Sequence, residues 1–256
     1  MKRKITCILA CVLVITTIIP SMALAASNAT ILEKLTLNGV KVYDVAPPTN
    51  GTKKTEKQIN ELLKKIPNKP LGKGNTTYSY SLSFGRPTAN KPGNYEWAYV
   101  SKLWYKNNDK TKTLFNYFEE RDLKNTKEGI RCHINKFDPK NGNSYTWIKG
   151  KKTGEHNTWK ITTSNINDDP MKPLNFKLYP DAAILGEKCM VYSCEYKSSD
   201  GTVTYYNFVS RNTRQNVKYI YSDPNFIYAS IDFEHKLVDK ADSFFDPPKD
   251  VKFITN

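Results

Sequence analysis

Thr77-Tyr78-Ser79-Tyr80-Ser81-Leu82-Ser83-Phe84 alternates without a break: Tyr78, Tyr80, Leu82 and Phe84 fall on one side of an extended chain, Thr77, Ser79, Ser81 and Ser83 on the other. Successive side chains of a strand point to opposite faces, so this run predicts a half-buried antiparallel strand with a hydroxyl face. Upstream of it stands one helix signal. Thr55 and Gln58 have the spacing of a capping box, Ile59, Leu62, Leu63 and Ile66 form a single apolar stripe at helical spacing, and Pro67 stops the run. Lys57, Lys64 and Lys65 lie off that stripe.

Downstream the signals are almost wholly of strands. Tyr95 to Tyr105 predicts a second strand with Tyr95, Trp97, Tyr99, Leu103 and Tyr105 on one face, and Leu114 to Phe118 a third. Ile130 to Phe137 and Tyr145 to Ile148 read as a pair around Asp138-Pro139-Lys140-Asn141-Gly142, and Trp159 to Thr163 as a short run. Asn165 to Pro180 carries Asp169-Pro170 and Lys172-Pro173 and reads as a loop. Cys189 to Tyr196, Thr202 to Ser210, Val217 to Tyr221 and Phe226 to Phe233 then form a meander of four, the first turn being Ser199-Asp200-Gly201. A single turn at Asp242-Ser243-Phe244-Phe245 and a last strand at Val251 to Ile254 close the chain. These readings total about ten strands and one or two helices. The expected fold class is mainly β (α+β): a strongly curved antiparallel sheet or incomplete β-barrel, with a helix covering the concave face.

Composition narrows the class further. The 256 residues hold 39 Lys+Arg against 25 Asp+Glu, a net charge of +14, and 12% aromatics, which is too aromatic for a disordered chain. Lys2, Arg3 and Lys4 precede an apolar run from Ile5 to Ile19, and Pro20 breaks it before Ala23-Leu24-Ala25. That is a secretory signal with cleavage expected after Ala25. An acylated leader would need Cys7 or Cys11, either of which leaves almost no apolar region ahead of it, so soluble export is expected, secreted or associated with the cell envelope. Three segments follow: 1–25 as signal peptide, 26–50 as an N-terminal hairpin and linker built on Asn38-Gly39, and 51–256 as the main domain. An exported basic protein meets anionic wall polymers or membrane surfaces, and nucleic acid is excluded by compartment.

Catalytic and metal motifs are missing from the sequence. It contains no G-x-S-x-G, H-E-x-x-H, C-x-x-C or Gly-rich phosphate loop. His133, His156 and His235 are far apart, Cys132 and His133 are strand neighbours that point apart, and the acids Glu119-Glu120 and Asp168-Asp169 fall at turns or strand ends. No enzyme activity, cofactor or metal is expected. Of the mature cysteines, Cys189 and Cys194 lie on opposite faces of one strand; a disulfide from Cys132 to either, or three free thiols, both remain open. Trp147, Lys149, Lys151, Lys152 and Trp159, with Lys160 nearby, form a candidate basic and aromatic surface for teichoic acid, glycan or anionic lipid head groups. The plainer role of such lysines is to keep an edge strand from pairing. The Asn38-Gly39 hairpin could add a strand to a partner or to a second copy, so a homodimer is also expected.

Leu185-Gly186-Glu187-Lys188-Cys189-Met190-Val191-Tyr192, then Phe208-Val209-Ser210-Arg211-Asn212-Thr213, then Asp242-Ser243-Phe244-Phe245 through Pro248-Lys249-Asp250-Val251-Lys252, stand in an order that resembles the LolA-like superfamily of lipoprotein-sorting and lipoprotein-binding domains. The similarity runs from about Thr55 to Asn256 and is best after Leu185. It implies a half-barrel whose concave face holds a lipid or lipidated protein under helices. Tyr78, Tyr80, Leu82, Phe84, Trp97 and Tyr99 would line that face, with Ile59, Leu62, Leu63 and Ile66 of the helix above them. The Lys- and Asn-rich composition suits a Gram-positive organism. It also resembles the clostridial germination branch of the family, which implies a partner in the form of a cell-wall amidase: sporulation proteins of that branch bind and activate a cortex N-acetylmuramoyl-L-alanine amidase.

Overall fold

The computed structural model describes residues 46–90, 95–161, 172–198 and 201–255, and the backbone of two short strands, β1 (Thr36–Leu37) and β2 (Val40–Lys41). Thr36 stands opposite Lys41 and Leu37 opposite Val40, which makes the pair an antiparallel hairpin. The leader, its cleavage site and the turns at Asn38-Gly39 and Ser199-Asp200 lie outside the described residues.

The rest is one sheet of thirteen strands, curved and unclosed. After β3 (Thr52–Lys53) and the single α-helix among the described residues, α1 (Glu56–Lys64), the chain runs up and down through β4 (Thr76–Pro87), β5 (Trp97–Asn108), β6 (Thr113–Asp122), β7 (Ile130–Phe137), β8 (Asn141–Ile148) and β9 (Thr153–Lys160). A second meander follows: β10 (Leu174–Ile184), β11 (Glu187–Ser198), β12 (Gly201–Ser210), β13 (Asn216–Ser222) and β14 (Phe226–Val238). β14 returns to pair with β4 from Phe226 opposite Pro87 to Val238 opposite Thr76, so the two meanders become one sheet. β15 (Lys252–Thr255) runs parallel to β9 at one edge, and β3 borders β10 at the other.

The β-rich class agrees with the sequence reading, but the strand count is higher. The stretch expected to be a loop up to Pro180 instead enters β10 at Leu174. β3 pairs only with Lys177 and Leu178, and Pro180 falls in a register irregularity between Tyr179 and Ala182, where a missing N–H breaks no ladder bond. β9 begins at Thr153, ahead of the expected Trp159, because Thr153 to Thr158 is polar on both faces and has no apolar alternation to read. Tyr95 lies before β5 and is buried against Phe84, not ranged with the strand's other rings.

The helix forms as its sequence predicts. Gln58 N–H donates to Thr55 Oγ1 at 3.2 Å and Thr55 N–H donates to Gln58 Oε1 at 3.0 Å, so both partners of the capping box are satisfied. Ile59 and Ile66, 1% and 3% exposed, press with Leu62 and Leu63 onto Phe176, Met190, Cys194 and Val209. Arg214, in the turn after β12, donates to the carbonyls of Lys64 at 2.8 Å and of Ile66, covering two of the free carbonyls at the helix end. Residues opposite one another in register share a face, so Met190, Cys194, Val209 and Tyr205 define the helix face of the sheet.

The other face carries the main core. Cys189, Val191, Phe208, Ile220, Ala229, Ile231, Leu82 and Phe84 form one buried cluster across five of the central strands, and Tyr179 and Tyr206 pack in the same cluster. Farther along, Cys132, Ile134 and Trp147 continue it with Tyr117 and Tyr145. The chain between β14 and β15 crosses this end. Phe244 meets Trp104 and Tyr117 edge-on at 5.6 and 5.4 Å, Phe245 packs on Phe115, and the buried Lys106 Nζ donates to Lys240 O at 2.7 Å and pairs with Asp242 at 2.6 Å.

These contacts set the expected stability losses. Ile59→Ala empties a site between helix and sheet and should cost about 2–5 kcal/mol, whereas Thr55→Ala, which removes only the cap, should cost about 1 kcal/mol. Urea unfolding followed by circular dichroism separates the two.

Candidate binding face

The residues expected to line one cavity divide between the two faces. Tyr78, Tyr80, Leu82 and Phe84 belong to the core face: Leu82 and Phe84 are 0% and 1% exposed, Tyr78 packs on Trp104 and Tyr80 on Phe233. Trp97 stands opposite Gly85 and Tyr99 opposite Ser83, so both lie on the helix face with Ile59, Leu62, Leu63 and Ile66. The physical reason is register. Each strand's alternation is as the sequence shows it, but β5 sets its aromatic side against the hydroxyl side of β4.

That register builds a feature invisible in single strands. Tyr99 stacks on Trp97 at 5.7 Å; Trp97 reaches Phe226 at 6.2 Å and Tyr228 at 6.0 Å; Tyr228 stacks on Tyr221 at 4.9 Å; Tyr221 meets Tyr205 at 5.3 Å, and Tyr205 meets Tyr196 at 5.5 Å. Tyr196 and Tyr205 in turn pack against the α1 cluster. The rings thus run unbroken over β5, β14, β13, β12 and β11, each keeping part of its surface open to solvent. Gly85, between Tyr228 and Trp97 in the same row, makes this continuity: a Cβ there would lie 2.7 Å from the rings of both Phe226 and Trp97. Sequence reasoning missed Tyr196, Tyr205, Tyr221, Phe226 and Tyr228. The alternation of Tyr219 with Tyr221 and of Phe226 with Tyr228 was the available signal.

Beside the rings lies a polar row. Asp232 stands opposite Ser81, Ser81 opposite Ser101, and Ser101 opposite Glu120. Neither carboxyl has a hydrogen bond or ion pair among the described residues. Burial pushes Asp232 up to about 7. It pushes Glu120 up to about 7 too, against the pull of Arg131 and with a further push from Asp122. His133, on the same face opposite Thr146, is held down to about 4 by burial and by Arg131. Burial also raises the Tyr219 and Tyr228 hydroxyls and takes Tyr192 up to about 12. All these groups keep partial solvent contact yet are stripped of much of their hydration.

The expected basic and aromatic surface does not come together. Trp147, 9% exposed, is part of the core face opposite Gly154, whereas Trp159, 41% exposed, stands opposite Gly142 at the other end of the hairpin and on the other face. Lys149 is tied to Glu119 at 2.8 Å and Lys152 to Asp250 at 2.6 Å; Lys151 stays exposed. Cys132, Cys189 and Cys194 are free and buried, and burial takes the thiols of Cys189 and Cys194 up to about 11, so they stay protonated. Cys132 faces the core and His133 the helix side, which separates thiol from imidazole. Among the described residues no group of His, Cys, Asp and Glu could hold a metal ion.

No known protein-family model matches this chain, and comparison with curated proteins gives no match.

The two raised carboxyls fix a sign for the pH dependence of folding. Between about pH 4 and 7 the folded chain keeps protons on Asp232 and Glu120 that the unfolded chain has released, so their contribution to stability falls as pH rises and is fully lost above 7. Asp232→Asn should therefore be more stable than the parent at pH 8, by about 1–2 kcal/mol after allowing for solvent screening, and equal to it near pH 4. Urea titrations at the two pH values measure the difference.

Proposed function

We propose that the chain is an exported, non-enzymatic binding protein of LolA-like build, in which a lipid or lipidated peptide lies along the ring-lined face on which α1 packs. The observation that carries this reading is the unbroken line of partly exposed rings from Tyr99 to the α1 cluster. An acyl chain laid on such a line gains about 0.8 kcal/mol for each methylene removed from water. The same surroundings raise Asp232 and Glu120 to about 7, so each carries less charge near neutral pH than a solvated carboxyl, which supports an apolar occupant over a charged one. Export rests on the leader from Lys2 to Ala25.

Native mass spectrometry of the mature chain from its own host should show a co-purified lipid or acylated peptide. A bound amidase with no lipid would favour the reading as a germination regulator. In titrations with a fluorescent fatty acid, Trp97→Ala and Tyr228→Ala should each weaken binding about tenfold or more while circular dichroism stays native. Unchanged affinity in both variants would sink the proposal.

A further inference from the structure

We infer that the edge of the sheet farthest from α1, where Trp159 and Ile254 stand out from β9 and β15, docks on an anionic lipid bilayer. Among the described residues the most exposed large hydrophobic side chains are Ile254 at 57%, Trp159 at 41% and Leu174 at 40%, and the first two share this edge while Leu174 lies on β10. They also share a face. Ile254 stands opposite Glu155, and Glu155, Asn157 and Trp159 are alternate residues of one strand.

The indole is held in place but not covered. Its ring lies directly over Gly142, where a Cβ would collide with it, and meets the Phe137 ring edge-on at 5.8 Å. A tryptophan fixed flat on backbone with its outer face in water suits the boundary between head groups and acyl chains, where an apolar ring with one polar N–H is best accommodated. Ile254, 57% exposed, adds an aliphatic group on the same side.

Charge complements this apolar pair. Lys252 precedes Ile254 by two residues on the same face, and Lys140 is held at the same corner because Ile161 N–H donates to its carbonyl at 2.8 Å; Lys160, the neighbour of Trp159 in β9, is on the opposite face. Lys140 and Lys252 are exposed, and among the described residues neither is in an ion pair. Opposing them on this strip is Glu155, and Asp250 is already taken by Lys152. A flat, fluid, negatively charged surface can meet two apolar side chains and two flexible ammonium groups at once, each lysine near it adding modestly to the attraction. The net charge, +14 for the full sequence and +11 without the three basic residues of the leader, acts in the same direction at longer range. This inference does not depend on what occupies the ring-lined face.

The test is flotation of the mature chain with vesicles of mixed phosphatidylcholine and phosphatidylglycerol, and of phosphatidylcholine alone. The parent should bind the mixed vesicles, lose that binding as salt rises, and bind pure phosphatidylcholine weakly. Trp159→Ser with Ile254→Ser should weaken binding to mixed vesicles about tenfold, and Lys140→Gln with Lys252→Gln should weaken it about tenfold and flatten the salt dependence. Ile254→Ser alone, at the most exposed large hydrophobic side chain among the described residues, should lower binding with an unchanged thermal melt. Equal binding to both vesicle types, no binding by the parent, full binding by both double variants, or burial of Trp159 in a dimer of this chain would each overturn the inference. Fatty-acid binding that survives in every edge variant leaves the helix-face reading intact, so the two can fail separately.

Discussion

Everything in this molecule depends on the ladder between β14 and β4. The two meanders are local, each strand pairing with its neighbour in sequence, and would form two separate sheets if left alone. The pairing of Phe226 to Val238 with Thr76 to Pro87 joins residues about 150 positions apart and holds both meanders in one surface. It also aligns their faces. The core from Tyr179 to Phe84 and the ring line from Tyr196 to Tyr99 both pass through this seam, so a slip of one residue there would turn Leu82 and Phe84 toward α1 and the serines of β4 into the core. The bulge at Phe233 takes up one residue in the ladder beyond Asp232, so the core pairing on one side and the tyrosine pairs on the other both keep their register.

Much of this was legible in the residues. Local rules were sufficient wherever structure is local: the Thr55 and Gln58 cap, the α1 stripe, the exact span of β7, and the alternation of β4 and β11 were all readable from spacing. β10 was not, because Pro180 reads as a breaker and an edge strand tolerates it. β9 was not, because both its faces are polar.

The candidate site was legible only in part, and for a different reason. Trp97, Tyr99 and the α1 stripe belong to the ring-lined face, but Tyr78, Tyr80, Leu82 and Phe84 were assigned there and belong to the core. Alternation tells which residues of one strand share a side; it does not tell which side of the next strand they meet. That second fact is set by register over long sequence distance, and the line of rings exists only after register is known. Gly85 shows the same limit. Within its strand it is a gap in the alternation, and only beside Trp97 and Phe226 does its missing side chain acquire a purpose.

The segment from Lys240 to Phe253 acts as a tie-rod. Anchored by Lys106 at one end and by the parallel β15 at the other, with Phe244, Phe245 and the Lys136 to Asp246 contact along the way, it spans β5 to β9 at a fixed length. That half of the sheet cannot flatten without stretching a chain segment already pinned at both ends. The opposite half takes its support from α1, which presses on Phe176, Met190, Cys194 and Val209 and is pinned at its end by Arg214. The curvature is therefore clamped by a length of the chain's own backbone at one end and by a helix at the other.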